Sequence, residues 1–243
     1  GLLAYLLTCK FVDALPFYRM EKILFRHGVD LSRATMCSWA MAIHERASPL
    51  LRLLKEELIR SAVLAVDETP LQVLREPGRK NTTKSFMWVS YGGTAERPVL
   101  WYDYRPTRSA QFLRQELAGF AGYLQTDGYV GYDALDWNGS VTHVGCWAHV
   151  RRGFVQAKKV APSAAADTAL EYIGQLYAVE REALASSAGQ VREFRQARSV
   201  PVVQGFKVWL DKTSTAVPPK GLLGKAIAYT LGQWSKLEHY LDD

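Results

Sequence analysis

The chain has 243 residues, a length that suits one large domain or two small ones. Hydrophobic residues make up 48% and charged residues 22%, as in ordinary globular proteins, and the average content of 18 Gly and 10 Pro excludes collagen-like and low-complexity chains. Three widely spaced cysteines exclude a disulfide framework and favour a reducing, cytoplasmic compartment. No apolar run is long enough to span a membrane, so no membrane partner is expected. The formal net charge of +6 favours an anionic partner, with nucleic acid as the first choice.

Residues 1–60 carry apolar side chains at helical spacing and form the first predicted region. A glycine-containing turn divides it, and Asp30 or Ser32 can cap the helix that follows. Helix, turn and a second helix that carries Arg33 and Thr35 give the outline of a DNA-binding helix-turn-helix. A packed helical hairpin without DNA contact fits the same pattern, and the sequence leaves both interpretations open.

Residues 61–145 change character, because short apolar or aromatic segments now alternate with turns. Residues 62–66 are a continuous apolar run, typical of a strand that is buried on both faces and that ends at Asp67. Two aromatic-rich strands, a helix, a fourth strand ending at Asp127, a short helix around residues 132–135 and a fifth strand follow. The first three strands suit an antiparallel meander, and the later crossovers suit parallel pairing.

From residue 146 onward the apolar spacing predicts helices again. Pro201 stands at an expected helix start, because proline is tolerated in the first helical turn. We therefore predict three parts: a helical, helix-turn-helix-like region over 1–60, an α/β core over 61–160 and a helical insertion over 161–243.

Two carboxylates stand where predicted strands end. If the strands that precede Asp67 and Asp127 are neighbours, both side chains project at the same sheet edge, where sites of α/β sheets form. A divalent cation would offset the cost of burying carboxylates there, and Mg²⁺ leaves positions open for phosphate oxygens. Many Asp-Gly pairs are only turns, so a simple turn at Asp127-Gly128 is the alternative. Glu68 points to the opposite face from Asp67, so we interpret it as a residue outside the metal's ligands or at the surface.

Basic side chains predict contacts with DNA phosphates. Arg151 and Arg152 recur seven residues later as Lys158 and Lys159, so each pair shares a helix face, and no acid occurs between residues 136 and 167 to offset them. A solvated helix face is the alternative. A predicted strand-to-helix junction, where the helix N-terminus favours anions, adds Arg105, Arg108 and Ser109.

Cys146 and His149 are three residues apart and would share one face of a helix. They are half of a zinc site, and no second pair follows, so zinc is not expected. A nucleophilic Cys–His couple would need an orienting third group. We expect His149 to make a polar contact near the active site, DNA included, or to be a core histidine.

An ordered set of motifs runs through the chain at residues 1–7, 11–19, 31–39, 66–70, 107–109, 126–132, 145–154, 224–229 and 233–234. With this set the chain resembles the transposases of the insertion sequence 66 family. The resemblance implies a ribonuclease-H-like DDE transposase with a mixed five-stranded sheet. In such enzymes two Asp and one Glu hold two Mg²⁺ ions, with Mn²⁺ as an alternative, that cut and join DNA strands.

In this resemblance Asp67 matches the first catalytic Asp and Asp127 the second. Glu171, Glu180 and Glu182 do not match the family's Glu, whose motif we expect beyond residue 243, and Gly153 replaces a usual Lys. We therefore expect a fragment that lacks both ends and is inactive alone.

The resemblance also implies the partners. They are DNA, as element ends and target, further copies of the protein assembled on that DNA, and accessory proteins encoded by the element. Two alternatives remain: a non-catalytic module for DNA binding and assembly, and another ribonuclease-H-like nuclease or resolvase.

Overall fold

The structure is a computed structural model that describes residues 1–94, 96–133, 139–184 and 188–242. It has a five-stranded mixed sheet, with helices before, between and after the strands, so the predicted mixed α/β class is confirmed. The chain forms two compact units, Gly1–Glu56 and Glu57–Asp243. Within the described residues, no helix combines the length and apolar character that a membrane crossing requires.

The first unit is helical, as predicted. Its helices are α1 (Leu2–Phe11), α2 (Phe17–Arg26) and α3 (Arg33–Ile59), the last of which continues into the second unit. Gly28 lies in the turn before α3 with φ +78°, a conformation that glycine adopts without steric cost. The Thr35 backbone N–H donates to Ser32 Oγ over 3.1 Å, so Ser32 caps α3. The buried core of this unit consists of Leu6, Cys9, Met20 and Met36.

The second unit contains the sheet. Its strands are β1 (Val63–Gln72), β2 (Lys84–Gly93), β3 (Pro98–Arg105), β4 (Gly122–Thr126) and β5 (Val141–Gly145). Their order is β3-β2-β1-β4-β5. Pairing is antiparallel from β1 to β2 and from β2 to β3, and parallel from β1 to β4 and from β4 to β5. The predicted meander and the predicted parallel crossovers are therefore confirmed.

Strand β1 departs from its prediction in two ways. It does not end at Asp67 but continues to Gln72, because it stays paired with β2 after its pairing with β4 stops at Ala65. It is also buried on one face rather than both: Leu64 is fully buried, whereas Val63 is 45% exposed. Asp67 therefore lies just beyond the point where β1 and β4 part, at an open edge of the parallel half of the sheet.

The helices of the second unit flank the strands as follows. They are α4 (Ala110–Glu116), α5 (Val130–Asp133), α6 (Trp147–Val160), α7 (Ala164–Ala183), α8 (Ala188–Phe194), α9 (Val200–Ser214), α10 (Leu222–Gly232) and α11 (Trp234–Glu238). A 3₁₀ turn at His239–Leu241 follows α11. The short helix predicted around 132–135 begins earlier than expected, and residues 134–138 lie outside the described residues.

Helix α9 begins at Val200, so Pro201 stands in its first turn, as the sequence predicts. Helix α8, a π-helical turn at Arg195–Ser199 and helix α9 follow one another without a break, so Pro201 also lies inside a continuous helical run. Proline cannot donate the usual backbone hydrogen bond within a helix. The wider π turn directly before it accommodates this loss.

Two hydrophobic clusters stabilise the second unit. One joins the sheet to α4, α5 and the end of α3, with Trp88, Phe112 and Tyr132 among its buried rings. The other joins α6, α7, α9, α10 and α11 around Phe154 and Phe206. Because α10 packs extensively on α6, this second cluster holds both helices beside the sheet edge where β4 and β5 end.

Candidate metal site and nucleic-acid interface

Asp67, Asp127 and His149 meet at one edge of the sheet. One potential ligand atom from each of them lies within 4.8 Å of the other two. Asp67 lies two residues beyond the part of β1 that pairs with β4, Asp127 follows β4, and His149 lies in the first turn of α6, which follows β5. The parallel order β1-β4-β5 therefore brings three sequence-distant residues to the same place.

The three side chains differ in how tightly the protein holds them. The Asp67 carboxylate is 57% exposed, and its Oδ1 accepts the Glu68 backbone N–H. Asp127 is half-buried, and its Oδ1 accepts the Tyr129 backbone N–H over 2.9 Å. His149 Nε2 lies 3.9 Å from Asp67 Oδ2, while its buried Nδ1 has no hydrogen-bond partner within the described part of the chain. The imidazole is therefore aimed at the carboxylates.

This donor set fits a divalent cation. An octahedral Mg²⁺ or Mn²⁺ site with bonds near 2.1 Å has ligand atoms about 3–4 Å apart. The three ligand atoms here lie within 4.8 Å of one another, so the side chains would move slightly closer together to bind an ion. Two carboxylates suit Mg²⁺ and Mn²⁺, whereas an imidazole is a more typical ligand of transition metals. We conclude that the residues present suit Mn²⁺ at least as well as Mg²⁺.

Arg108, predicted to contact DNA, also lies in this site. Its Nη2 atom pairs with the Glu68 carboxylate and lies 3.4 Å from Asp127 Oδ2. Its guanidinium carbon lies 3.5 Å from the centroid of the Tyr129 ring, whose hydroxyl donates to the Arg108 carbonyl. The Arg108 guanidinium is thus held between two carboxylates and the face of an aromatic ring.

Glu68 is the residue whose importance the sequence did not reveal. As expected it points away from Asp67, but its side chain is 2% exposed rather than at the surface. It accepts a hydrogen bond from Tyr132 Oη over 2.9 Å. Burial raises the pKa of the Glu68 carboxyl, and the Asp127 charge adds to this, whereas Tyr132 and Arg108 lower it. Both partners are far away in sequence, so no local motif indicates this role.

The other residues of the predicted junction serve the fold locally. Arg105 pairs with Asp103 at 2.9 Å and with Glu116 at 3.3 Å, and its guanidinium lies over the Phe112 ring. Ser109 Oγ accepts the Gln111 N–H and caps α4. Neither contact involves the three residues of the metal site.

The basic stripe on α6 is less uniform than expected. Arg151, Arg152 and Lys159 are exposed, but Lys158 pairs with Asp167 of α7 at 2.5 Å. The expectation that nothing offsets these charges is therefore wrong for Lys158, since the first acid after the stripe folds back onto it. In the first unit Arg33 is exposed, and the half-buried Thr35 hydroxyl contacts Ser32 Oγ at 3.0 Å.

Cys146 is the N-cap residue of α6. It lines a cavity of about 190 Å³ together with Asp67, Asp127 and His149. The two acids Glu180 and Glu182 pair with Arg195 and Arg198 respectively. Within the described residues, the metal-ligand group contains neither of these glutamates, and its third member is an imidazole.

Comparisons with known proteins agree with the motif set. The family profile described as "Transposase IS66 family" matches residues 1–243. Two uncharacterized proteins of Sinorhizobium fredii (strain NBRC 101917 / NGR234) are similar over the whole chain: y4qI is 34% identical, with 47% of its length covered, and y4jD is 33% identical, with 50% covered. The chain thus spans about half the length of these relatives. No solved structure matches the chain significantly.

Proposed function

The chain belongs to the IS66 family of transposases, and from this premise we propose that its second unit is the metal-dependent catalytic core of an enzyme that cuts and joins DNA strands. The observation that carries the proposal is the convergence of Asp67, Asp127 and His149 within 4.8 Å. Two carboxylates would repel a DNA phosphate, so a phosphate can bind at this site only if metal cations lie between it and the carboxylates.

The proposed roles follow from the contacts. Asp67 and Asp127 hold the cations, and His149 adds a neutral donor beside Asp67. Bound Mg²⁺ or Mn²⁺ ions would activate the attacking hydroxyl and stabilise the leaving oxygen. Arg108 lies beside the Asp127 carboxylate and is held there by its contacts with Glu68 and Tyr129. The Tyr129 N–H holds Asp127 Oδ1, which orients the other carboxylate oxygen.

We also propose that the core is ribonuclease-H-like. The supporting observation is the order β3-β2-β1-β4-β5, in which an antiparallel meander is joined to two parallel strands. This order places the ends of β1, β4 and β5 side by side, as a site with carboxylates from separate strands requires. The proposed partners are DNA as element ends and target, further copies of the protein and accessory proteins of the element.

Metal binding by the 243-residue chain tests the proposal. Mn²⁺ titrations by calorimetry should show at least about tenfold weaker binding in Asp67→Asn and Asp127→Asn, because each change removes a charged ligand. Asp211→Asn is the matched control, since Asp211 pairs with Lys207 on the surface of α9. Strand transfer by an intact family member carrying this core should be abolished by either site change. Transfer that survives both changes would overturn the assignment.

A second candidate is a module that binds DNA and assembles without catalysis. Two observations favour it: the third donor of the site is His149 rather than a carboxylate, and Arg151 and Arg152 are exposed on α6. DNA binding should then weaken steeply with salt, and Arg152→Ala should lower the salt slope by about 0.9 on duplex DNA. Lys158→Ala serves as the control because Asp167 already neutralises Lys158. DNA binding without any Mn²⁺ binding would favour this module over the enzyme.

A further inference from the structure

A cleft of about 590 Å³ opens beside the metal-site residues of the second unit. Asp127, His149 and Arg108 line one part of it, and residues of α6 and α10 line the rest. Its volume falls in the range of sites that enclose a small molecule or a single nucleotide, and it is too small for a DNA duplex.

Helix α10 is held firmly against the turn that follows Asp127. The Gly128 N–H donates to Tyr229 Oη over 3.2 Å. At the other end of α10, a Cβ on Gly224 would lie 2.2 Å from the Pro218 carbonyl oxygen, so the helix start packs directly on the preceding turn. Lys225 lies between these two contacts in sequence and lines the cleft. The motif at residues 224–229, which the metal site does not explain, therefore builds this wall.

The walls combine two kinds of surface. Val130 and Leu222 both line the cleft and are 71% and 41% exposed, so they give part of its wall an apolar surface that a ligand can reach. Lys225 is exposed, and no ion pair is seen for it among the described residues. Inorganic phosphate would use Lys225 but not the apolar walls. An apolar ligand would use the walls but not Lys225.

We propose that this cleft seats one unstacked nucleotide of the DNA strand whose neighbouring phosphate lies at the metal site. Its base contacts Val130 and Leu222, and its phosphate pairs with Lys225. Single-stranded nucleic acid is bound elsewhere by cations for the backbone and aromatic side chains for the bases, and Tyr129 and Tyr229 also line this cleft. Gly153, on the α6 side, lines the cleft where α6 and α10 pack closely, since a Cβ there would lie 3.3 Å from the Ala226 Cβ. The proposal rests on the proposed function, because the phosphate at Asp67 and Asp127 fixes which nucleotide enters.

Binding of short oligonucleotides to the 243-residue chain tests it. The probes are a fluorescein-labelled hexanucleotide of mixed sequence and a labelled hexamer of abasic sites, measured by fluorescence anisotropy with Mn²⁺ present. The hexanucleotide should bind about tenfold more tightly, because the abasic chain offers no base to the apolar walls. Equal affinity of the two probes would overturn the proposal.

Variants locate the site. Leu222→Ser and Val130→Ser should each weaken the hexanucleotide about threefold or more and leave the abasic probe unchanged. Lys225→Ala should weaken both probes and lower the salt slope by about 0.7, whereas Lys220→Ala, an exposed lysine outside the cleft, should change neither. Equal effects of Lys225→Ala and Lys220→Ala would contradict the proposal, as would a base preference that survives both serine changes.

A photo-crosslink separates this inference from the proposed function. A hexanucleotide with one 4-thiothymidine should crosslink to peptides that contain Tyr129 or Tyr229, which both line the cleft. If the crosslink forms there but Asp67→Asn leaves Mn²⁺ binding unchanged, the nucleotide site is supported and the proposed metal-dependent function is contradicted. If Mn²⁺ binding depends on Asp67 but the crosslink falls on residues outside the cleft, the proposed metal-dependent function is supported and the nucleotide site is contradicted.

Discussion

The Arg108 Nη2 atom lies 3.4 Å from Asp127 Oδ2 while it also pairs with the buried Glu68 carboxylate. One guanidinium thus joins a carboxylate of the candidate metal site to a carboxylate behind it. Glu68 can be charged in this buried position because Arg108 and the Tyr132 hydroxyl both stabilise its anion. The stability of the core and the charge of the site are therefore linked through Arg108.

We predict that Arg108→Gln lowers the free energy of unfolding by about 3 kcal/mol, because it leaves Glu68 buried without a cation. The double variant Glu68→Gln with Arg108→Gln should recover most of this loss, since two neutral amides can face each other. Urea unfolding of the parent, both single variants and the double variant gives the coupling energy. Strictly additive losses would show that the two side chains do not stabilise each other.

The raised pKa of Glu68 predicts a pH dependence of stability. An acid whose folded pKa lies above its ordinary 4.5 binds protons more tightly in the folded protein, so its contribution to stability is greatest below 4.5 and is lost as the pH rises through the folded pKa. The stability of Glu68→Gln relative to the parent should therefore increase from pH 4 to pH 7. Melting temperatures of both proteins at several pH values measure this. A relative stability that falls with rising pH would mean that Arg108 lowers the pKa more than burial raises it.

The sequence indicated that Asp67 and Asp127 lie near each other because each follows an apolar segment typical of a buried strand. An apolar run before Asp67 and an Asp-Gly turn at Asp127 suffice once the two strands are taken as parallel neighbours, and the pairing of β1 with β4 confirms that they are. The end of β1 was not predictable in the same way. Its residues beyond Asp67 are polar, and they remain a strand because β2 continues beside them.

The sequence did not predict the burial or pairing of side chains whose partners lie far away in the chain. The burial of Glu68 requires Arg108 and Tyr132, which lie on other elements, and the pairing of Lys158 requires Asp167 on the next helix. His149 is an intermediate case. Its place after β5 was known, but its approach to Asp67 follows from the order of the parallel strands, which periodicity alone does not give.

His149 predicts a preference between ions. If its Nε2 is a ligand, His149→Ala should weaken Mn²⁺ binding about tenfold or more and weaken Mg²⁺ binding less, because imidazole suits transition metals better than Mg²⁺. Calorimetric titration with each ion measures the two ratios. His239→Ala is the control, since His239 is exposed and pairs with Asp242. Equal losses for both ions would assign His149 a positioning role for Asp67 instead.

The close approach of Gly128 to Tyr229 predicts a stability loss of a different kind. A Cβ at Gly128 would lie 2.6 Å from Tyr229 Cε2, so Gly128→Ala must displace either the Tyr229 ring of α10 or the turn after Asp127 and should cost about 1–3 kcal/mol. Gly174→Ala is the matched control: it lies within α7 with open space at its Cβ position, and it should gain about 0.5–1 kcal/mol from higher helix propensity. Urea unfolding compares the two. Because Gly128 follows Asp127 directly and its N–H donates to Tyr229 Oη, Mn²⁺ affinity should fall in Gly128→Ala and stay constant in Gly174→Ala. A Gly128→Ala protein that is as stable as its parent and binds Mn²⁺ equally well would show that α10 does not set the position of the site.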